Sequence, residues 1–382
     1  MHFVFFVHSL ISDWNHGNAH FIRGIVTELQ HRGHKVTVYE PAMSWSLFNL
    51  IKEYGSHALD SFYHYYPDIR SIQFKMEELD LNEVLDGAHV VIVHEWNDHE
   101  LVHRLGMHRK QNNGYRLFFH DTHHRAVSDP ESMKNYDLRY YDGVLAFGEV
   151  LKNIYLERSW ALKAWTWHEA ADIRIFRPLS RFEYEGDIVW IGNWGDEERS
   201  IEFIKYLFDP VESLKLHGRV YGVRYPVHAQ QMLRNCGLEY AGWTPNYLVP
   251  QIFSRYKLTV HIPRRQYVEM LPGIPTIRPF EALASGIPLI CSPWDDCEKL
   301  FEGEKDYLMA KDCQQMKEHI NLIINDLKFS SQMVLHGLKT VLDRHTCANR
   351  VDQLLKICEE SGIKNSTADL LNEELSNHRG NR

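Results

Sequence analysis

Cysteine is scarce and unevenly placed. The chain has six, the first of them is Cys236, and no Cys-x-x-Cys pair occurs. That argues against a disulfide framework and a thiolate zinc site, and for a reducing, cytoplasmic compartment. Positive charge is also in deficit: 42 Lys and Arg stand against 51 Asp and Glu, a net charge of −9. Proteins that coat nucleic acid need a basic face, so nucleic acid is not an expected partner. No apolar run approaches the roughly 18 residues of a membrane-crossing helix, so no transmembrane segment is expected. The opening MHFVFFVHSL is apolar but short and lacks a basic leader, and it reads as a strand rather than a signal peptide. No Gly-x-Gly-x-x-Gly follows any strand-like run, which disfavours a two-domain dinucleotide-dependent dehydrogenase.

Apolar and aromatic material is ample. Hydrophobic residues make up 44% of 382, and there are 10 Trp and 19 Tyr. That length suggests two domains. HFVFFVHSL, KVTVYEP, GAHVVIVHEW, YRLFFHDTHHR and YDGVLAFGE read as buried strands separated by helical stretches. Continuous apolar strands alternating with helices predict a parallel sheet covered on both faces. The stretch WTWHEAADIRIFRPLSRFEYEGD lacks periodicity and reads as a linker. The pattern then restarts at DIVWIGNW and runs to IPLICSP, so the fold class is α/β with two doubly wound sheets in series. The expected divisions are 1–178, 179–345, a C-terminal helix over 346–364 that packs back on the first domain, and a polar tail over 365–382. Ligands of such sheets bind at the carboxyl ends of the strands, and facing sheets leave a cleft between them.

One stretch, TIRPFEALASGIPLICSP, carries a question. Pro279 suits the first turn of a helix, and Gly286 suits the left-handed position just past its end. IPLIC reads as a buried parallel strand. Yet Glu281 stands at the mouth of this core unit, where either the helix dipole or a ligand would account for it.

The ordered run IVWIGNW, YAGWTPNYLVPQIFSRYKLTVHIPRR, RPFEALASGIPLICSP and DYLMAKDCQQMKEHINLIINDL resembles the donor half of GT-B glycosyltransferases, of the retaining family-four and CgeB-like type. The resemblance implies two Rossmann-like domains, the first on the acceptor side and the second holding a nucleotide-sugar. It implies that Glu281 accepts the two ribose hydroxyls of the donor, since a carboxylate can hold a vicinal diol. It also brings a departure: where many relatives carry a second glutamate, this chain has Gly273. The loop around Gly273, Ile274 and Thr276 would offer backbone N–H groups to the diphosphate. Arg199, Arg264, Arg265 and Arg278 are the candidate diphosphate cations. Only one of Arg264 and Arg265 is expected to face the cleft, because adjacent residues point apart. Arg278 would bind phosphate or brace Glu281. Gly192 and Asn193, in the glycine turn, would touch the donor, and Trp243 would stack on the base.

On the first domain, His120 and Asp121 follow a buried strand and are the expected catalytic pair, with His123 and His124 as further polar candidates. His16, Gly17 and Asn18 after the first strand, with His94 and Glu95 after another, are expected on the acceptor side. The three histidines of HDTHH lack metal-ligand spacing, and no Asp-x-Asp occurs. Neither a metal nor another cofactor is therefore expected, and arginines and helix ends would stabilise the departing diphosphate. The function read from this is transfer of a hexose, with retention, from a nucleotide-sugar such as a UDP-sugar to a glycan, protein or small-molecule acceptor. The alternative is a non-catalytic nucleotide-sugar-binding or coat-assembly protein of the same fold.

Overall fold

In a computed structural model, which describes residues 1–180 and 183–363, the chain forms two α/β halves. The first holds β1 (His2–Phe6), β2 (Lys35–Pro41), β3 (Ser71–Phe74), β4 (Val90–His94), β5 (Arg116–Asp121), β6 (Gly143–Ala146) and β7 (Ala164–Thr166). They make one parallel sheet in the order β3-β2-β1-β4-β5-β6-β7. The second half holds β8 (Gly186–Ile191), β9 (Gly218–Tyr221), β10 (Leu238–Gly242), β11 (Tyr256–His261), β12 (Leu289–Cys291) and β13 (Leu308–Met309). Their parallel order is β10-β9-β8-β11-β12-β13. Strand order reverses at β1/β4 and again at β8/β11, and such reversals open a crevice at the carboxyl ends.

Apolar strands without alternation produce this arrangement because both sheet faces are covered. Phe3 pairs with Val36 and with Val90. Phe3, Phe5, Val90 and Ile92 enter one core, whereas Val4, Phe6, Val91 and Val93 enter the core on the opposite face. The second sheet divides likewise, with Ile188 and Trp190 on one side and Val189 and Ile191 on the other.

The chain crosses back at its end. The Cys347–Glu360 helix packs along the Asn18–His31 helix, and Cys347, Val351, Leu354, Ile357 and Cys358 complete a core of the first half. Gly24 allows the approach, because a Cβ there would lie 2.4 Å from Cys347 Sγ. The linker is fastened at the same place. Arg350 Nε donates to the carbonyls of His168 (2.9 Å) and Glu169 (3.3 Å), and Trp167 Nε1 donates to the carbonyl of Arg350 at 2.9 Å. The tail expected over 365–382 lies outside the described residues.

Gly24→Ala should destabilise the protein by about 1–3 kcal/mol, the usual range for overpacking. Adding Cys347→Ala should recover part of that loss in a double-mutant cycle read by denaturant unfolding. Additive effects would count against a direct contact.

Candidate active site

The carboxyl ends of the two sheets face each other across a cleft of about 610 Å³. The β1 end contributes His8, Asn15, His16, Gly17 and Asn18, and the β5 end Thr122, His123 and His124. Across from them stand Gly192, Asn193 and Arg199 after β8, Pro263 and Arg264 after β11, and Thr276, Ile277 and Arg278 at the start of the Ile277–Ser285 helix. That helix ends where its sequence predicts, at Gly286 with φ 69°. Its N-cap, Thr276, is held at φ 59°. A β-branched residue rarely adopts such an angle, and strain of this kind collects at functional sites.

Four arginines line this wall, Arg199, Arg224, Arg264 and Arg278, and Arg224 is paired with Asp196 at 2.9 Å. Arg199 Nη1 donates to the carbonyl of Ile262 (2.8 Å) and Nη2 to that of Asn193 (2.5 Å), and its guanidinium lies over the Trp190 ring. Among the described residues no carboxylate forms an ion pair with it. Burial, and next the neighbouring Arg264, push its pKa down to about 9, so it stays a cation at neutral pH. Arg264 lines the cleft and pairs with Glu198 at 2.6 Å. Arg265, expected as a further donor contact, instead pairs with Glu202 at 3.2 Å and bonds the Glu197 carbonyl, away from the cleft. The two neighbours do point apart.

Glu281 corrects a second expectation. It is fully buried and does not line the cleft. Asn246 Nδ2 donates to Oε1 at 2.8 Å, and Arg278 closes on Oε2, one helical turn away. A ribose would first have to displace one of them. Desolvation raises the Glu281 pKa. Asp13, from the first half, ties this corner together. It pairs with Arg23 (2.9 Å) and accepts from Trp243 Nε1 and from the Asn246 N–H, both at 3.0 Å. Trp243 is therefore held edge-on to Asp13 and packed on Tyr54, and it lines a side recess of about 80 Å³. Asn193 bridges the halves by donating to Asn15.

Gly273 and Ile274 also leave the cleft. Ile274 plugs into the core of the first half. Gly273 (φ 87°) abuts Glu298, whose carboxylate would meet an added Cβ at 2.6 Å. A side chain here would have to move that carboxylate and adopt a left-handed backbone that favours glycine. Of the loop, Thr276 alone reaches the site.

On the opposite wall the expected catalytic pair lies too deep. His120 is fully buried against Trp167, with neither ring nitrogen bonded, and burial takes its pKa down to about 3. Asp121 accepts from Tyr155 Oη (2.7 Å) and the His123 N–H (3.0 Å), and burial pushes it up to about 6. Both serve the core, and the cleft begins one residue later, at Thr122. His94 sits behind Asn18 and Thr122, bonded to each. Glu95 is sealed by Arg125. His16, Gly17 and Asn18 do reach the cleft. Among the described residues, no group of three His, Cys, Asp or Glu side chains is arranged to hold a metal ion, and no helix is long and apolar enough to cross a membrane.

Sequence reasoning missed Trp45, Trp96, Tyr267 and Glu169, which all line the cleft. Glu169 stands in the linker, where the signal was a carboxylate between a histidine and two alanines in WHEAAD. Burial, with the charge of Glu281 adding, pushes it from 4.5 up to about 8. Between these values the folded chain holds a proton that the unfolded chain releases, so this group's contribution to stability falls as pH rises. Glu169→Gln removes that titration. The variant should therefore gain on the wild type from pH 5 to pH 8 in denaturant unfolding, and a pH-independent difference would contradict the assignment.

Residues 199–356 match a family model described as glycosyl transferase-like. No curated protein matches the chain in sequence. Among solved structures, a glycosyltransferase from Rickettsia africae ESF-5 superposes with a TM-score of 0.65 at 12% identity, over 94% of this chain and 98% of that one. HepE from Anabaena, in complex with UDP and glucose, gives 0.63 at 12% identity over 94% and 100%. BGT of phage T4, in complex with UDP and Mn2+, gives 0.61 at 12% identity over 94% and 99%. At such identities the likeness establishes the architecture: the chain has the GT-B fold, with a glycosyl transferase-like segment in its second half.

Proposed function

We propose that the protein transfers a hexose from a nucleotide-sugar, a UDP-sugar, to a glycan, protein or small-molecule acceptor. The observation that carries this reading is Arg199, a part-buried guanidinium on the cleft wall with no carboxylate partner among the described residues. A cation partly withdrawn from water gains from a counter-charge, and a diphosphate supplies one. Arg264, Arg278 and the start of the Ile277–Ser285 helix converge on the same wall. As the bond from sugar to diphosphate breaks, negative charge grows on the departing oxygens. Groups already oriented there stabilise the charge where it develops. In this proposal the arginines replace a divalent ion, and the anomeric configuration is retained. The glycosyl transferase-like match and two UDP-bound structural neighbours support the choice of donor class. His16 and the tryptophans Trp45 and Trp96 line the acceptor side. A cytoplasmic location belongs to the same proposal.

One observation favours a second reading, a non-catalytic nucleotide-sugar-binding or coat-assembly protein. His120, Asp121 and Glu281 are all turned away from the cleft. Release of free sugar or transfer to water over long incubation would separate turnover from binding alone.

Thermal unfolding with UDP, GDP, dTDP and ADP tests the donor site. A nucleotide at about 100 times its Kd should stabilise the protein by about 2.7 kcal/mol. Arg199→Met should abolish the shift, with the ligand-free melting curve as the control for folding. No shift with any of the four would overturn the donor-site reading.

A further inference from the structure

Seven Asp and Glu residues are buried among the described residues, and six have bonded carboxyl groups. Glu40 accepts from Ser9 and the Leu10 N–H. Glu95 is held by Arg125, Asp121 by Tyr155, and Asp172 by Arg174. Glu281 is held by Asn246 and Arg278, and Asp306 by Thr340 and His336. Glu169 is the exception. It is 5% exposed, and no side chain or N–H among the described residues bonds its carboxyl. It is also the only one of the seven that lines the cleft.

The carboxyl does not occupy that place by looseness of the linker. Arg350 bonds the backbone carbonyl of Glu169 and that of its neighbour. His168, one residue before, is fastened to Glu298 at 2.9 Å. The two residues after it, Ala170 and Ala171, are fully buried. The backbone is thus fixed on both sides, with the side chain aimed into the cleft. Leaving a buried carboxyl without a partner is costly, so the group is expected to find its partner in a ligand.

The surroundings define that ligand's chemistry. The arginine wall takes anions, and a carboxyl beside it has nothing to offer a phosphate. It needs hydrogen-bond donors. Phe147 and Tyr267 line the same cleft and present apolar surface. Donors on a ring with an apolar face describe a pyranose. Burial holds the carboxyl protonated near neutrality, so it can both donate to and accept from hydroxyl groups.

Resting on the reading of the cleft as a nucleotide-sugar site, we propose that Glu169 anchors the subsite for the transferred sugar by hydrogen-bonding its hydroxyl groups.

Isothermal titration with UDP, GDP, dTDP and ADP, and with the glucose conjugate of each, tests this. The quantity read is the affinity the sugar adds over the free nucleotide. Glu169→Leu should cut that increment about tenfold, the scale of a buried hydrogen bond removed from a charged or polar site. Glu169→Gln, which keeps hydrogen-bonding capacity, should restore part of it, and free-nucleotide affinity should not move. Equal losses for nucleotide and conjugate would overturn the proposal, because the residue would then act on the nucleotide or the fold. So would an unchanged increment in Glu169→Leu, or a wild type for which glucose adds no affinity. Those three results leave the donor-site reading standing. Failure of all four free nucleotides to bind the wild type would sink that reading, and this inference with it.

Discussion

Arg350 is the contact on which the geometry of the cleft depends. It is buried and, among the described residues, has no ion pair, and its donors go to the carbonyls of His168, Glu169 and Arg344 and to the ring of His345. Such a guanidinium spreads one charge over several dipoles instead of neutralising it against a carboxylate. It joins the linker between the sheets to the last helix, so the angle at which the chain leaves one half and enters the other is set there. Arg199 is its counterpart in the cleft, its donors going to the carbonyls of Asn193, Trp194 and Ile262. One serves the frame, and the other presents its charge to a solvent-filled space.

The two halves meet through apolar residues, Tyr267, Leu271 and Ile274 entering one core of the first half and Tyr247 and Ile277 the other, and through polar groups. Asp13, Asn15 and Ser61 from the first half bond Trp243, Asn193 and Tyr247 from the second. His168 and Glu149 bond Glu298 on the opposite side of the cleft. The polar contacts exchange readily with water, whereas the shared apolar cores oppose separation of the halves. Asp13 lines the Trp243 recess, so opening there would release two donors together, the Trp243 indole N–H and the Asn246 N–H.

Much of this was legible in the sequence. Apolar strands without alternation specify parallel sheets, and the restart of the pattern after the linker specifies two. Pro279 and Gly286 bracket their helix because each suits one backbone position. The opposite orientation of Arg264 and Arg265 followed from geometry alone. The sites were harder, because exposure is a property of the assembled molecule. His120 and Asp121 stand at a strand end, but neighbouring elements extend far enough to cover them. Glu281 and Arg278 share a helical face at i, i+3, and the structure realises the bracing alternative at the expense of a free carboxylate. Glu169 lay in a segment without periodicity, and only the fold reveals that the segment passes the cleft.

The return of the Cys347–Glu360 helix to the Asn18–His31 helix also has a consequence for biosynthesis. β1 and the helix that follows it are translated more than 300 residues before the surface that covers that helix. Until then Phe21, Ile25 and their neighbours lack part of their apolar cover. A nascent first half can form its sheet early but cannot finish its core. Completion awaits a contact of high sequence separation, whose loop-closure entropy must be met late. Completion of that core and the fastening of the linker by Arg350 therefore depend on the same helix, and a chain lacking it would leave both undone.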